Sequence, residues 1–506
     1  MTRYLLTLTI LLVSGCAQVY SNVQSKNVAS EISGVFDGSG YPVEVCDSQY
    51  AGHPASCTIS GSGSSQIIRG NIISNGKIYI GGELLVGDDG HIKAAGCHLP
   101  QESAITLDCP GSLISAGFIN LHEHIDYSYQ QPPHPPTLKW EHRDEWRRLS
   151  AAERGFEGDA PKDEEVRIEV SERAMLRHAL SGSTSISGAK EYRAFLRNLK
   201  LDNGSLATPF GKSVIDSTFP LDDGKSKQWL TAPCTPDQIT AIEFNKENPF
   251  IPHVGEGIND GARYEVDCVL DAIQTKTTPN AFIHGVAIDD TQVERLKSQK
   301  VAVVLSPRSN FQLYGATAPV SKLKEAGVTL AMGTDWSPSG SLTQLDEVRC
   351  LARYNHDTLN GLFSWSDMHR MMTENGAKAV GLQGQIGKLA IGEYADIVIL
   401  DTDGRRSLGD VLENSALHET IAVFIGGKAA SFPVAWESKL PTLDKCSLDS
   451  RNLCGQTRIV CGADSNHNLN QLLKQATYSI DDTKICTPQP TDDCVELMTI
   501  GKSSLK

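Results

Sequence analysis

Beyond its first sixteen residues the chain has no apolar run long enough to cross a membrane as a helix. Its 13 cysteines include no Cys-x-x-Cys, which argues against a cysteine zinc ribbon or a thioredoxin-like redox site. Basic residues are not in excess: 46 Lys and Arg against 61 Asp and Glu leave a formal charge of −15. That balance disfavours nucleic acid and anionic lipid as partners and mainly favours solubility. The Pro-Cys-x-x-Cys of His/Cys/Cys-type zinc deaminases is missing, because Pro233-Cys234 continues into Thr235, Pro236 and Asp237. A serine nucleophile elbow, Gly-x-Ser-x-Gly, has only a look-alike at Gly61–Ser65 that lacks the final glycine.

The chain opens MTRYLLTLTILLVSGC. Arg3 supplies a positive end, Tyr4–Val13 a short apolar core, and Ser14-Gly15 small residues ahead of Cys16, the pattern of a cleavable export signal. Val13-Ser14-Gly15-Cys16 resembles the lipobox of bacterial lipoproteins. That resemblance implies a signal peptide over 1–15, acylation of Cys16 as the mature N-terminus, and a firm lipid anchor in the cell envelope. Ala17 in place of Asp points to the outer membrane, facing the periplasm. With Cys16 lipidated, twelve cysteines remain, an even number that favours disulfides in an exported chain. Cys46 with Cys57, and Cys97 with Cys109, are the expected local pairs. The tail holds five cysteines, so at least one pairs outside it or stays reduced.

At 506 residues one large domain with smaller attachments is expected. Residues 16–65, rich in Gly and Ser from Ser21 onward, read as a tether stapled by cysteines. Residues 66–112 hold short apolar runs punctuated by Asn75-Gly76, Gly81-Gly82 and Asp89-Gly90, good hairpin signals. A matching β-rich piece covers 386–434, so the two flanks predict one small sheet assembled from both ends. Between them, 113–385 alternates strand-like and helix-like runs, as a parallel α/β barrel does. Strands are expected at Leu113–Asn120, Ser183–Ser187, Ser213–Ser217, Phe250–His253, Ala281–His284, Val301–Ser306 and Val328–Gly333. Helices are expected at Asp163–Leu180, Ala262–Lys276, Asp290–Gln299, Val320–Ala326 and Leu342–Asn355. Seven strands fall one short of a closed (β/α)8 barrel. Residues 435–506 form a cysteine-rich extension with no recognisable chemistry.

The chemistry concentrates at predicted strand ends. LISAGFINLHEHID places His122 and His124 two apart, on one face of an extended segment. His253 and Glu256 end the Phe250 run in PFIPHVGEG, His284 ends AFIHG, and Asp335 ends LAMGTDW. In a β/α barrel all these ends line one mouth, where catalysis sits. Neutral imidazoles held together suit zinc or a similar divalent ion. Three imidazoles and one carboxylate would leave room for a water of lowered pKa.

These landmarks, with SPRSN and GKLAIGEYADIVILD, resemble the amidohydrolase superfamily of metal-dependent hydrolases over roughly Ile67 to Phe432. The likeness is strongest to its deaminase, chlorohydrolase and imidazolonepropionase-like branch. The resemblance implies a distorted (β/α)8 TIM-like barrel with a small composite β-sandwich. It implies His122, His124, His253 and Asp335 as metal ligands, normally to one zinc. It also implies His284 as the group that polarises the substrate, Glu256 as the proton shuttle, and Asp335 as the acceptor of the attacking water's proton. Lys190 and Lys212 are the only lysines near middle-strand candidates, and neither sits where a metal-bridging lysine is expected, so a mononuclear site is predicted.

Arg308, Asn310, Tyr314, Trp336 and Tyr127 fall near the same mouth as candidate substrate contacts. Arg308 could clamp a substrate carboxylate or pair with a neighbouring acid. The insert Gln130–Arg148, with Trp140 and Trp146, would suit a lid; His134 and His142 within it are expected to face solvent. The leading expectation is C–N hydrolysis of a small molecule, by deaminating a cyclic amidine or opening a cyclic amide. A dipeptidase or N-acyl-amino-acid hydrolase, and a non-catalytic binding protein on the same fold, are the competing readings. A homo-oligomer is left open.

Overall fold

The computed structural model describes residues 35–100, 103–127, 138–156, 159–189, 195–200, 214, 219–221, 228–244, 246–443, 446, 451–462, 486 and 494. Cys16, Lys190, Lys212 and His134 lie outside the described residues. No described helix is long and apolar enough to cross a membrane.

The two flanking β pieces do meet. Ala104–Ala116 pairs antiparallel with Ile397–Asp401, which joins them in one eleven-stranded sheet. Ser65–Ser74 and Lys77–Val86 form the hairpin predicted at Asn75-Gly76, with φ of 49° and 73° at those two residues. Asn and Gly are the residues that tolerate such a turn.

Three boundaries differ from expectation. Leu113–Ala116 belongs to this sheet, so the parallel region begins at Phe118 and not at Leu113. Residues 35–65 are not a bare tether: Phe36 is buried, Val43–Val45 pairs with Lys77–Val86, and Thr58–Gly61 pairs with Ala104–Ala116. The expected cysteine pairs are exchanged, with Cys46 bonded to Cys97 and Cys57 to Cys109. Each bond staples the early segment to the sheet across more than fifty positions, a link that sequence proximity cannot suggest. In the tail, Cys446–Cys461 and Cys454–Cys486 are local, while Cys494 reaches Cys350 outside it. Arg451–Leu453 and Gln456–Val460 extend the composite sheet.

Among the described residues, seven short parallel strands make up the centre. His253–Val254, Ala281–His284, Ala302–Leu305 and Leu330–Met332 pair in that order. Phe118–Asn120, Ser183–Ile186 and Arg197–Asn198 form a second run. The runs are joined where Leu121 N–H donates to Met332 O, Asp335 N–H donates to His122 O, and Glu123 bridges Asp335 in parallel. The third strand is Arg197–Asn198, which sequence reading missed. Most of the expected Ser213–Ser217 strand lies outside the described residues, although Val214 N–H donates to Leu199 O at 2.8 Å.

Helices cover the strands as predicted. Asp290–Gln299 and Val320–Ala326 match to the residue; Glu164–Leu180, Asp260–Ile273 and Gln344–Asp357 shift slightly at their ends. Their starts are set by side-chain caps from Asp163, Asn259, Asp289 and Thr343 on backbone N–H groups.

Candidate active site

Short strands end in polar loops that share one face. After Phe118–Asn120, the Asn120 amide accepts from the backbone N–H of both His122 and Thr334 and donates to the Thr334 hydroxyl at 2.6 Å. This pins the loop carrying His122 and His124 against the loop carrying Asp335. The approach is close enough that a Cβ on Gly333 would fall 2.4 Å from the His122 Cβ, so glycine is required there.

The Nε2 atoms of His122, His124 and His253 form a triangle with edges of 3.3, 3.0 and 3.1 Å. Asp335 Oδ1 lies 3.3 Å from His122 Nε2 and 3.5 Å from His124 Nε2. Four tetrahedral ligands at ordinary zinc distances stand roughly 3.3 Å apart. His122 Nδ1 donates to Ser306 Oγ at 2.9 Å, and Ser306 donates on to Gly333 O at 2.9 Å. That fixes the tautomer, leaving the His122 Nε2 lone pair aimed into the triangle. Crowded nitrogens facing one another in this way are what one shared divalent cation resolves, and the donor set suits zinc. Burial drives His122 well below the usual imidazole pKa and His124 to about 4, so both are neutral at ordinary pH, as ligands must be.

His284 ends the strand Ala281–His284 with a φ of 69°, and Asp335 has a φ of 65°. Both are in the left-handed region that non-glycine residues avoid, a strain often found at functional positions. His284 Nδ1 donates to Asn310 Oδ1 at 2.8 Å, and the Asn310 amide nitrogen donates to Thr317 Oγ1 at 3.0 Å. The outer amide contact sets the inner one, so His284 presents an unprotonated Nε2. Burial lowers its pKa to about 3.

Glu256 sits on the loop after His253–Val254 and is 3% exposed. Its Oε1 accepts from the Tyr314 hydroxyl at 2.7 Å. Its Oε2 is buried without a hydrogen-bond partner, 3.7 Å from His284 Nε2. Burial raises the Glu256 pKa, favouring the protonated acid. Asp335 Oδ2 accepts from Ser309 Oγ at 2.5 Å, and burial raises its carboxyl well above the usual range.

Over these groups lies an aromatic wall. Trp336 stands 6.2 Å from the His124 ring, 5.7 Å from Tyr127, 5.6 Å from Trp146 and 6.0 Å from Phe156. Trp146 comes from the insert, whose described part runs as a strap. Lys139 Nζ donates to Phe311 O at 2.6 Å and Trp140 N–H to Leu313 O at 2.8 Å. Further on, Arg143 N–H donates to Glu256 O and Ile258 N–H to Glu141 O. His142, expected in solvent, is 2% exposed because its Nδ1 caps the helix Arg143–Arg147.

Two of the substrate-contact candidates have partners within the protein. Arg308 is buried and its backbone N–H donates to Glu347 Oε1 at 3.1 Å; its charge opposes the burial that pushes Glu347 to about 7. Asn310 spends its amide on His284 and Thr317. Sequence reading missed Ser306, Ser309, Glu123 and His178, the last two paired at 3.0 Å beneath the HEH loop. SPRSN carried the two serines within a landmark, but their targets are distant in sequence.

Comparison with known proteins adds the family. The amidohydrolase family model matches residues 246–430. This stretch is similar to the amidohydrolase family. It carries His253, Glu256, His284 and Asp335. The chain is 37% identical over 121 residues to 5-methylthioadenosine/S-adenosylhomocysteine deaminase of Syntrophobacter fumaroxidans, covering 23% of this chain and 28% of that relative. The chain therefore matches well under half the length of that relative. To the enzyme of the same name from Haloquadratum walsbyi it is 24% identical over 380 residues, 67% of this chain and 81% of the relative. Among solved structures, atrazine chlorohydrolase from Arthrobacter aurescens TC1 complexed with zinc aligns with a TM-score of 0.53 at 18% identity, covering 72% of this chain and 95% of that one. At that identity the likeness shows a shared fold.

Proposed function

We propose that the protein is a metal-dependent hydrolase that deaminates a flat cyclic amidine, with cyclic amides as the related substrates. The observation that carries this is the convergence of His122, His124, His253 and Asp335 on one metal-sized space, with Glu256 and His284 beside it. A divalent metal there, zinc by the donor set, would supply Lewis-acid activation of a water. Asp335, with Oδ2 held by Ser309, turns Oδ1 into the metal space beside His122 and His124, where it would accept a proton from a water held there. His284 Nε2, left unprotonated by the Nδ1 bond to Asn310, faces the same space and can accept a hydrogen bond from the attacking water or from the hydroxyl that it becomes. Glu256, whose burial favours the protonated acid, delivers a proton to the nitrogen that leaves. The aromatic wall of Trp336, Trp146, Phe156 and Tyr127 offers faces for a planar ring.

The peptidase reading would use Arg308 as a carboxylate clamp, and the Glu347 carboxyl competes for its charge. The binding-protein reading would expect a lost ligand or shuttle, and all six groups are in place. The named relatives put 5-methylthioadenosine and S-adenosylhomocysteine first among amidines to try. We also propose that the two parallel runs are arcs of one distorted barrel, with the composite sheet belonging to an accompanying β-sandwich. Export and lipid anchoring through Cys16 belong to the same reading. They are supported by the signal pattern and by six disulfides among the described residues, a usage suited to an oxidising compartment.

The test is elemental analysis of residues 17–506 beside the Asp335→Asn variant, followed by ammonia release from cyclic amidines, cyclic amides and dipeptides. About one zinc per chain, reduced in the variant, with ammonia from an amidine is expected. Release of amino acids from dipeptides alone would refute the deaminase reading.

A further inference from the structure

We propose that Tyr314, backed by Trp146, is a positioning residue that selects which oxygen of Glu256 handles the catalytic proton. The proposal rests on the hydrolase reading above and adds a part to it. Tyr314 is the last residue of the helix Pro307–Tyr314 and is 3% exposed. Asn310 and Tyr314, four apart on that helix, lie on one face; the first holds His284 and the second holds Glu256.

The hydrogen bonds have one direction. Trp146 Nε1 can only donate, and it donates to the Tyr314 oxygen at 3.1 Å. The single phenolic proton is then committed to Glu256 Oε1 at 2.7 Å. Oε1 is occupied as an acceptor, whereas Oε2 has no partner and faces His284. The proton of the neutral carboxyl therefore resides on Oε2, the oxygen turned toward the reacting centre. In the proposed step the Oε2–H bond breaks and its proton forms the new N–H bond on the leaving nitrogen. The C–N electron pair leaves with that nitrogen, and water supplies the oxygen, so amidine and water become amide and ammonia. Without the phenol the carboxyl could turn and spend its proton away from the site. Trp146 also packs 5.6 Å from Trp336, so a ring seated on this wall bears on the head of the same chain.

Tyr314→Phe and Trp146→Phe keep the rings and delete one donor each. Tyr314→Phe is expected to lower kcat about ten- to a hundredfold, with KM within about twofold and metal content unchanged. Trp146→Phe should give a smaller fall in the same parameter. In a Glu256→Gln background, Tyr314→Phe should cost nothing further, because the two act as one unit. Wild-type kcat in Tyr314→Phe, or an equal fall in the Glu256→Gln background, would overturn the proposal. Crystal structures of the wild type and Tyr314→Phe decide it independently of turnover, even if no amidine proves to be a substrate. A Glu256 carboxyl that turns away from His284 in the variant supports the assignment; one that keeps its place overturns it.

Discussion

His122 owes its metal-facing nitrogen to Ser306, 184 positions along the chain. Ser306→Ala removes the acceptor that fixes the tautomer and should weaken metal affinity by about 10–100-fold, read by competition with a chelator. His253→Ala removes a ligand outright and should yield protein without stoichiometric metal. Glu256→Gln leaves the ligands alone: metal is retained and turnover falls about 10²–10⁴-fold. Full activity in that variant would remove Glu256 from the shuttle role. At this scale the proposed ligands were legible, because His-x-His and His-x-x-Glu at strand ends follow from local spacing. The partners were not. Asn310 holds His284, 26 positions away, and the Arg308 backbone N–H meets Glu347, 39 positions away, contacts that spacing along the chain does not reveal.

One helix and one strap assemble the site. Pro307–Tyr314 sends Ser309 to Asp335, Asn310 to His284 and Tyr314 to Glu256, while Phe311 on its other side packs against Cys350 and Cys494. The strap ties that helix to the Glu256 loop. Arg143 grips Glu265 through both guanidinium nitrogens at 2.7 and 2.5 Å, and Glu265 also accepts from Gly255 N–H at 2.9 Å. Arg143→Met would leave Glu265 buried with its charge unpaired, a loss of roughly 3–5 kcal/mol. Denaturant unfolding should show it, and pairing the change with Glu265→Gln should recover part of the loss. An unchanged midpoint in the single variant would mean the pair contributes nothing. The insert was expected to be a lid from its aromatics, and its attachment to two elements could not be read from them.

Across the whole molecule, a buried histidine outside the candidate site, His369, tests how pH acts on the fold. His369 accepts from the Tyr41 hydroxyl at Nδ1, 2.9 Å away, and donates from Nε2 to Ser115 Oγ at 2.7 Å. Burial lowers its pKa from 6.5 to about 3. A folded pKa below the unfolded one means the unfolded chain binds the proton first. The stabilisation is therefore whole above about pH 6.5 and is lost as pH falls toward 3. Glu347, raised by burial to about 7, works the other way: its contribution is whole below the ordinary carboxylate range and is lost as pH rises through 7. The two are separated by difference. His369→Gln should unfold more easily than wild type at pH 7, and the gap in thermal midpoint should narrow steadily between pH 6.5 and 4. A gap that stays constant with pH would show that His369 does not titrate on unfolding.

Local pattern determined the elements and the reactive groups. Alternation and turn residues gave the β flanks, caps and periodicity gave five helices, and the strand-end spacing gave His122, His124, His253, Glu256, His284 and Asp335. These are short-range properties, since a strand end or a cap is defined within a few residues. Tertiary structure decided which cysteines meet, where the sheet ends and the parallel strands begin, and that Arg197–Asn198 is the third strand. It also decided which atom of each catalytic side chain is free to react. A serine, an asparagine or a tyrosine sets a tautomer or occupies one carboxylate oxygen only by arriving within about 3 Å, and only the folded chain brings it there.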